Sequence, residues 1–248
     1  MTSDHIVKAF DDQLNRLEHT IAEMGGLAES QLTDAIDALL KRDSDKAAQV
    51  AAADARIDDM ETEVDQLAVS LLALRQPMAS DLRAIVCALK TSAIIERIGD
   101  YAKNVAKRTA ALAEVPPVPP AFPVARLGRV AQEMIKDVLD AYVSRDVEKA
   151  DMVRERDKEL DTLYTSIFRE LLTYMMEDPR NITSCTHLLF VAKNIERIGD
   201  HTTNIAENVH FLVHGRFPLD ERQKDDASSF AVVRPATKGV EAGKGRAS

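Results

Sequence analysis

The pentapeptide Glu96-Arg97-Ile98-Gly99-Asp100 recurs letter for letter as Glu196-Arg197-Ile198-Gly199-Asp200, with Asn104 and Asn204 at the same distance behind each copy. Upstream, Arg42-Asp43 matches Arg145-Asp146, Lys46-Ala47 matches Lys149-Ala150, Asp54 matches Asp157, and Ile57-Asp58 matches Leu160-Asp161, all 103 residues apart. The spacing shortens to 100 at Glu196, which implies a shorter connection near Pro179. A repeat of this length marks an internal duplication, so the chain must build one helical unit twice.

Hydrophobic periodicity supplies the unit. Ile6, Phe10, Leu14, Leu17, Ile21 and Met24 step by threes and fours, and the stripe resumes at Leu32, Ile36, Leu39 and Leu40. This predicts a first helix from Ile6 to Arg42, with a kink allowed at Gly25-Gly26. Asp43-Ser44-Asp45 offers caps for a second helix over Asp45–Leu74, with the stripe Ile57, Met60, Val64, Leu67, Leu71 and Leu74. Pro77 ends it, and Ser80 is placed to cap a third, Asp81–Glu114. Five prolines between Pro116 and Pro123 then break the pattern. The second half reads as helices over Phe122–Ser144, Val147–Glu177 and Asn181–Val213. The predicted fold is all-α: two tandem antiparallel three-helix bundles over residues 1–114 and 122–215, joined by a Pro-rich linker at 115–121. Residues 216–248 lose all periodicity and are expected to form a disordered tail, with a short partner-binding segment conceivable at Phe230-Ala231-Val232-Val233.

Composition narrows the function. A net charge of −9 lacks the basic footprint of a nucleic-acid binder. No apolar run reaches the length of a membrane span, and the first residues lack a signal-peptide core, so a cytoplasmic protein is expected. Cys87 and Cys185 sit in apolar helical contexts and read as buried free thiols.

The acidic residues fall into register. Glu96 and Asp100 are one turn apart on one helix face, with Asn104 a turn further. Asp54 and Asp58 form a similar pair on the preceding helix. If the two helices pack antiparallel, the pairs meet across a groove. The second half repeats this with Asp157, Asp161, Glu196, Asp200 and Asn204. Two carboxylates about 4–5 Å apart repel by roughly 3–4 kcal/mol at an effective dielectric of about 20, so such a groove calls for protons, cations or metal. An all-oxygen donor set suits Mg²⁺, Ca²⁺, Mn²⁺ or iron, and bridging carboxylates can hold more than one ion.

The competing reading is a salt-bridge network served by Arg97, Arg197, Arg83 and Arg75. Glu61 and Asp65 are secondary candidates, because Tyr164 and Phe168 stand in their places in the second half. Gly99 and Gly199 each cost about 1 kcal/mol inside a helix, which close helix packing or an adjacent ion would explain. His19 and His187 are isolated, and His201 has Tyr101 as its counterpart. Glu207-Asn208-Val209-His210 has the spacing used in di-iron bundles, but Lys107 and Ala110 occupy the matching positions. No nucleophile–base set or phosphate-cradling loop appears.

Leu72-Ala73-Leu74-Arg75-Gln76-Pro77, Ser80-Asp81-Leu82-Arg83, Leu172-Thr173-Tyr174-Met175-Met176-Glu177-Asp178-Pro179 and the doubled Glu-Arg-Ile-Gly-Asp resemble the PhoU family of bacterial phosphate-transport regulators. The resemblance spans about Ile6 to Gly215. It implies multinuclear sites for divalent or trivalent metal ions (iron, zinc, magnesium or manganese) on Asp54, Asp58, Glu96, Asp100 and Asn104, and on Asp157, Asp161, Glu196, Asp200 and Asn204. It also implies a homodimeric, non-enzymatic adaptor between the ATPase subunit of a phosphate ABC transporter and a phosphate-sensing histidine kinase. Such an adaptor restrains uptake and starvation signalling, and meets the membrane only through its partners. A carboxylate-bridged metalloenzyme and a purely structural helical dimer are the alternatives.

Overall fold

The computed structural model describes residues 2–75, 77–219, 226 and 228. The described residues form no strand. The first half comprises α1 (Thr2–Lys41), α2 (Ser44–Ala53), α3 (Ala55–Arg75) and α4 (Ala79–Ala113). The second comprises α5 (Ala121–Ser144), α6 (Val147–Glu177) and α7 (Ile182–His214), with a 3-10 turn at Pro179–Asn181 before α7.

The repeated Arg-Asp pairs build one chain reversal twice. Arg42 and Arg145 end α1 and α5 in the left-handed region, at φ 57° and 55°. The next residue caps the following helix. Asp43 accepts from the Lys46 N–H at 2.9 Å, and Asp146 from the Lys149 N–H at 3.0 Å. Each such cap is worth about 1 kcal/mol.

Three local expectations change. The second helix is not continuous: a single tightened turn at Asp54, where the Ile57 N–H reaches the Asp54 carbonyl at 2.8 Å, divides α2 from α3. Its counterpart α6 runs unbroken across Asp157. Ser80 does not cap α4. The helix starts after Met78, and the Ser80 hydroxyl donates to the Asp81 carboxylate at 3.3 Å. Leu74 leaves the apolar stripe, being 74% exposed near the end of α3.

No break interrupts α1 at Gly25-Gly26. Gly25 instead marks a close helix approach. A methyl group there would lie 2.4 Å from the Leu139 side chain of α5, and one on Gly128 would lie 2.6 Å from Ile36 of α1. Gly25 and Gly128 are duplicated positions, as are Ile36 and Leu139, so the α1–α5 contact is reciprocal.

Leu17, Ile21, Met24 and Leu32 of α1 pack with Ile57, Met60 and Leu71 of α3 and with Ile85, Ile95 and Ile98 of α4. Leu127, Met134, Leu160, Leu188 and Ile198 make the corresponding interior of the second half, and one apolar cluster runs through both. Each such side chain contributes about 1.5–3 kcal/mol on burial. The halves join where α4 packs on α7 and α1 on α5. Inside the α4–α7 contact, the buried Asn208 amide donates to the Thr91 hydroxyl at 3.3 Å, and the Cys87 thiol faces the Asn208 carbonyl at 3.6 Å. Cys87 and Cys185 are both buried and unbridged. The linker is tied down by the Ser184 hydroxyl, which donates to the Pro116 carbonyl at 3.1 Å, and by Arg42, which donates to the Ala113 and Val115 carbonyls. The segment Phe230–Val233 lies outside the described residues.

Candidate functional site

Glycine sets how closely the acidic helices approach. A methyl group on Gly99 of α4 would stand 3.1 Å from Asp54 Oδ1 and 3.2 Å from Gln31 Oε1. One on Gly199 of α7 would stand 3.2 Å from Asp157 Oδ1 and 2.1 Å from a Leu160 methyl. The glycine inside each repeated pentapeptide thus admits a buried aspartate from the neighbouring helix.

In the first groove Asp54 is only 1% exposed. Its carboxylate accepts from the Gln31 amide at 2.9 Å and from the Lys103 ammonium at 2.6 Å, and Lys103 also reaches Asp100 at 3.3 Å. Glu96 lies beside this set, half-buried. Burial, then the charges of Asp100, Glu61 and Asp58, raise its pKa from 4.5 to about 7. Asp58, though largely exposed, is also raised, by partial desolvation and then by Asp54, against the pull of Lys103. Glu61 is raised by desolvation and then by Asp65 and Asp58. These carboxylates share one electrostatic environment; Asn104 is exposed.

The second groove is more enclosed. Asp157, Asp161 and Glu196 are all buried, Asp200 is half-buried and Asn204 is exposed. Burial raises the Glu196 pKa above the usual carboxylate range, opposed by Lys193, whose ammonium stands 2.8 Å from Glu196 Oε2.

In the first half Asp54, Asp58, Glu96 and Asp100 act on one another through their charges, and in the second Asp157 lies against Gly199 while Glu196 feels the charge of Asp200. These acids do not form finished ligand sets: among the described residues, no three His, Cys, Asp or Glu side chains come together closely enough for one ion. The donor chemistry fits a hard or borderline cation. Gln31 Oε1 adds a buried acceptor with no hydrogen-bond partner, next to Asp54. Ligation by Asp54 requires that Lys103 move aside.

Among the described residues the cations paired with these acids are lysines rather than the arginines of the competing reading, while Arg97 acts on Glu96 and Glu61 through its charge. Arg197 turns instead toward the face of Tyr101, 5.8 Å from the ring centre, and Arg83 lies near Gly215. Gln31, Lys103 and Lys193 were not legible as site residues. Gln31 and Lys193 lack counterparts of the same type, since Met134 and Ala93 hold those positions, and Lys103 is matched by Thr203. The signal was there in the asymmetry, as polar residues breaking otherwise matched positions. Glu61 belongs to the first groove more firmly than its unmatched position suggested.

The histidines have other partners. His210 pairs with Asp151 at 2.8 Å, His187 faces Arg108 at 3.4 Å, and His19 is exposed. His201 stacks on Tyr101 with centroids 5.5 Å apart, where α4 meets α7.

Acidic helices repeated in two similar helical bundles define a tandem-repeat all-α protein in which the repeat organises the polar residues. The chain belongs to the PhoU family: the PhoU domain model matches residues 21–109 and again 124–209. The phosphate-specific transport system accessory protein PhoU homolog of Rhizobium meliloti is 51% identical over 230 residues, covering 92% of this chain and 97% of its own. The protein of the same name from Caulobacter vibrioides is 50% identical over 228 residues, covering 92% and 99%. The crystal structure of PhoU from Pseudomonas aeruginosa superposes with a TM-score of 0.80 at 42% identity, covering 84% of this chain and 100% of that one. That of the phosphate transport system regulatory protein PhoU from Streptococcus pneumoniae gives 0.79 at 26%, covering 84% and 99%.

Proposed function

We propose that this chain is an accessory and regulatory protein of a phosphate-specific transport system, acting as a non-enzymatic adaptor. The observation that carries this reading is the match at 51% identity to a named transport accessory protein over nearly its whole length. In finer detail, the adaptor joins the transporter's ATPase subunit to a phosphate-sensing histidine kinase and restrains both uptake and starvation signalling. It works in the cytoplasm as a homodimer. Among the described residues no helix is long and apolar enough to cross a membrane, in keeping with contact through partners.

The two grooves are the proposed metal sites. Asp54, Asp58, Glu96, Asp100 and Asn104 would hold ions in the first half, with Glu61 beside them. Asp157, Asp161, Glu196, Asp200 and Asn204 would do so in the second. Bound iron, zinc, manganese or magnesium would supply positive charge that relieves the repulsion among these acids. The raised pKa of Glu96 supports this, because an isolated solvated carboxylate has no reason to hold its proton near neutrality.

One observation favours a second reading for the acids. The Asp54–Lys103–Asp100 chain of ion pairs is the kind of link a purely structural network contains. Deleting the gene and complementing it with wild type or with Asp100→Ala/Asp200→Ala tests both readings. The adaptor reading expects phosphate-starvation genes to be active in replete medium in the deletion strain and silenced by wild type. The metal reading expects the double variant to lose both bound metal and silencing. A deletion without effect on phosphate genes contradicts the functional reading.

A further inference from the structure

Lys90, Ile94, Arg97, Tyr101, Asn104 and Arg108 step by fours and threes, so they form one line along α4. The duplicated line on α7 is Phe190, Asn194, Arg197, His201 and Asn204. Tyr101 meets His201 and Arg108 meets Phe190, so the helices run antiparallel and the two lines lie side by side along their seam. Cations of one helix lie on rings of the other. The Lys90 ammonium is 5.6 Å from the centre of the Phe211 ring, the Arg197 guanidinium 5.8 Å from Tyr101, and the Arg108 guanidinium 4.1 Å from Phe190. Lys90, Arg97 and Arg197 are exposed and Arg108 is half-buried. Neither line holds an Asp or Glu, although acids outnumber Lys and Arg by 41 to 32 in the chain. Among the described residues, none of these four cations forms an ion pair. The acids stand on the margins instead. Glu96 and Asp100 lie on the side of α3, where Asp58 acts on both, and Glu196 lies on the side of α6, where its partner Lys193 stands over the Tyr164 ring.

We propose that the α4–α7 seam is a docking surface for an acidic segment of a protein partner, whose carboxylates are read by Lys90, Arg97, Arg108 and Arg197. Guanidinium forks take carboxylates in two-point contact, and the rings beneath them add apolar surface and hold the forks flat. From Lys90 to Arg108 the line covers about five turns of helix, or about 27 Å, which a partner helix of similar length would match. The margins select the occupant. A phosphate backbone or an anionic membrane is negative throughout and would meet the acids on both sides of the seam. A protein segment can carry carboxylates along its centre and cations along its edges, complementary to all three lines of charge. This docking rests on the adaptor reading, which supplies the protein partner.

The test measures binding of the purified ATPase subunit of the phosphate transporter to the full chain by calorimetry, at low and at high salt. Arg97→Glu/Arg197→Glu is compared with Lys158→Glu/Arg169→Glu, a reversal of equal charge at exposed positions of α6. Arg97→Lys/Arg197→Lys keeps the charge and removes the fork. Circular dichroism melting checks each fold, and Arg97→Gln/Arg197→Gln carries the comparison if the seam reversal does not fold. The expected result is wild-type binding that weakens as salt rises, a loss of more than about tenfold on seam reversal, an affinity within about twofold of wild type for the α6 reversal, and an intermediate value for the lysine pair. Wild-type affinity in the seam reversal would overturn the docking and leave the adaptor reading standing. Equal weakening by both reversals would also overturn it, because net charge alone would then account for the effect. So would a seam reversal that loses binding to a single-stranded oligonucleotide or to phosphatidylserine vesicles while keeping the ATPase. Wild type that does not bind the ATPase overturns the adaptor reading and the docking together.

Discussion

Tyr101 and His201 stack ring on ring, 5.5 Å between centroids, each one residue beyond the aspartate that closes its repeated pentapeptide. Duplicated positions meet here across the α4–α7 contact. Burial, then Arg97, lowers the His201 pKa, with Asp200 opposing and Arg197 adding to the shift. A histidine held neutral in the fold must be protonated at a cost as pH falls. Its contribution to stability is present above about 6.5 and is lost as pH drops through the lower folded value. His201→Phe keeps a ring in the stack and removes the titration. Urea midpoints at pH 7.5 and pH 5 should fall further for wild type than for this variant; parallel losses contradict the assignment.

Glu96 acts in the opposite direction. Its pKa rises from 4.5 in the unfolded chain to about 7 in the fold, so the native state binds the extra proton between those values. Its contribution is present below about 4.5 and is lost as pH rises through about 7. Glu96→Gln should flatten the decline in stability between pH 5 and 8. If Glu96 is a ligand, Mn²⁺ binding by wild type should release protons near pH 6.5, seen as a buffer-dependent heat in calorimetry. The variant should release fewer.

Lys103 and Asp54 form the tightest link in the first groove, at 2.6 Å. Lys103→Met leaves the Asp54 carboxylate buried with only the Gln31 amide to hold it. Because Lys103 is partly exposed, the loss should be about 1–3 kcal/mol, below the full penalty for an abandoned buried charge. Asp54→Asn in the same protein should restore much of it. If the groove takes a cation, Lys103→Met should also tighten Mn²⁺ binding by removing a competitor. A stability loss with unchanged or weaker Mn²⁺ affinity favours the structural network.

The adjacent glycines of α1 should respond with opposite signs. A methyl group on Gly26 meets no atom within 4 Å, so Gly26→Ala should gain about 0.5–1 kcal/mol through helix propensity alone. Gly25→Ala drives a methyl into Leu139, and overpacking of this kind costs about 1–3 kcal/mol. Denaturation midpoints of the two single variants should bracket wild type.

The duplication, the apolar stripes, the Asp43 and Asp146 caps and the acids on α4 and α7 were legible because each depends on local sequence or on a match to its own copy. What escaped depends on unmatched positions. Gln31 looks like a surface residue of an amphipathic helix until α2 turns Asp54 toward it. Lys103 looks like an ordinary helical lysine one turn beyond Asp100. The helix break at Asp54 has no glycine or proline to announce it. Asp226 lies in a stretch too polar to form a core, and the Lys193 ammonium that stands 3.2 Å from it is distant in sequence, a contact no periodicity encodes.

Co-purification of the intact chain from phosphate-replete cells, with elemental analysis of the same sample, puts the adaptor role and the metal sites to the test together. The ATPase subunit of a phosphate transporter should accompany the chain, the chain should carry metal, and Asp100→Ala/Asp200→Ala should remove the metal. A chain that binds neither the transporter ATPase nor a phosphate-sensing kinase would contradict the adaptor role.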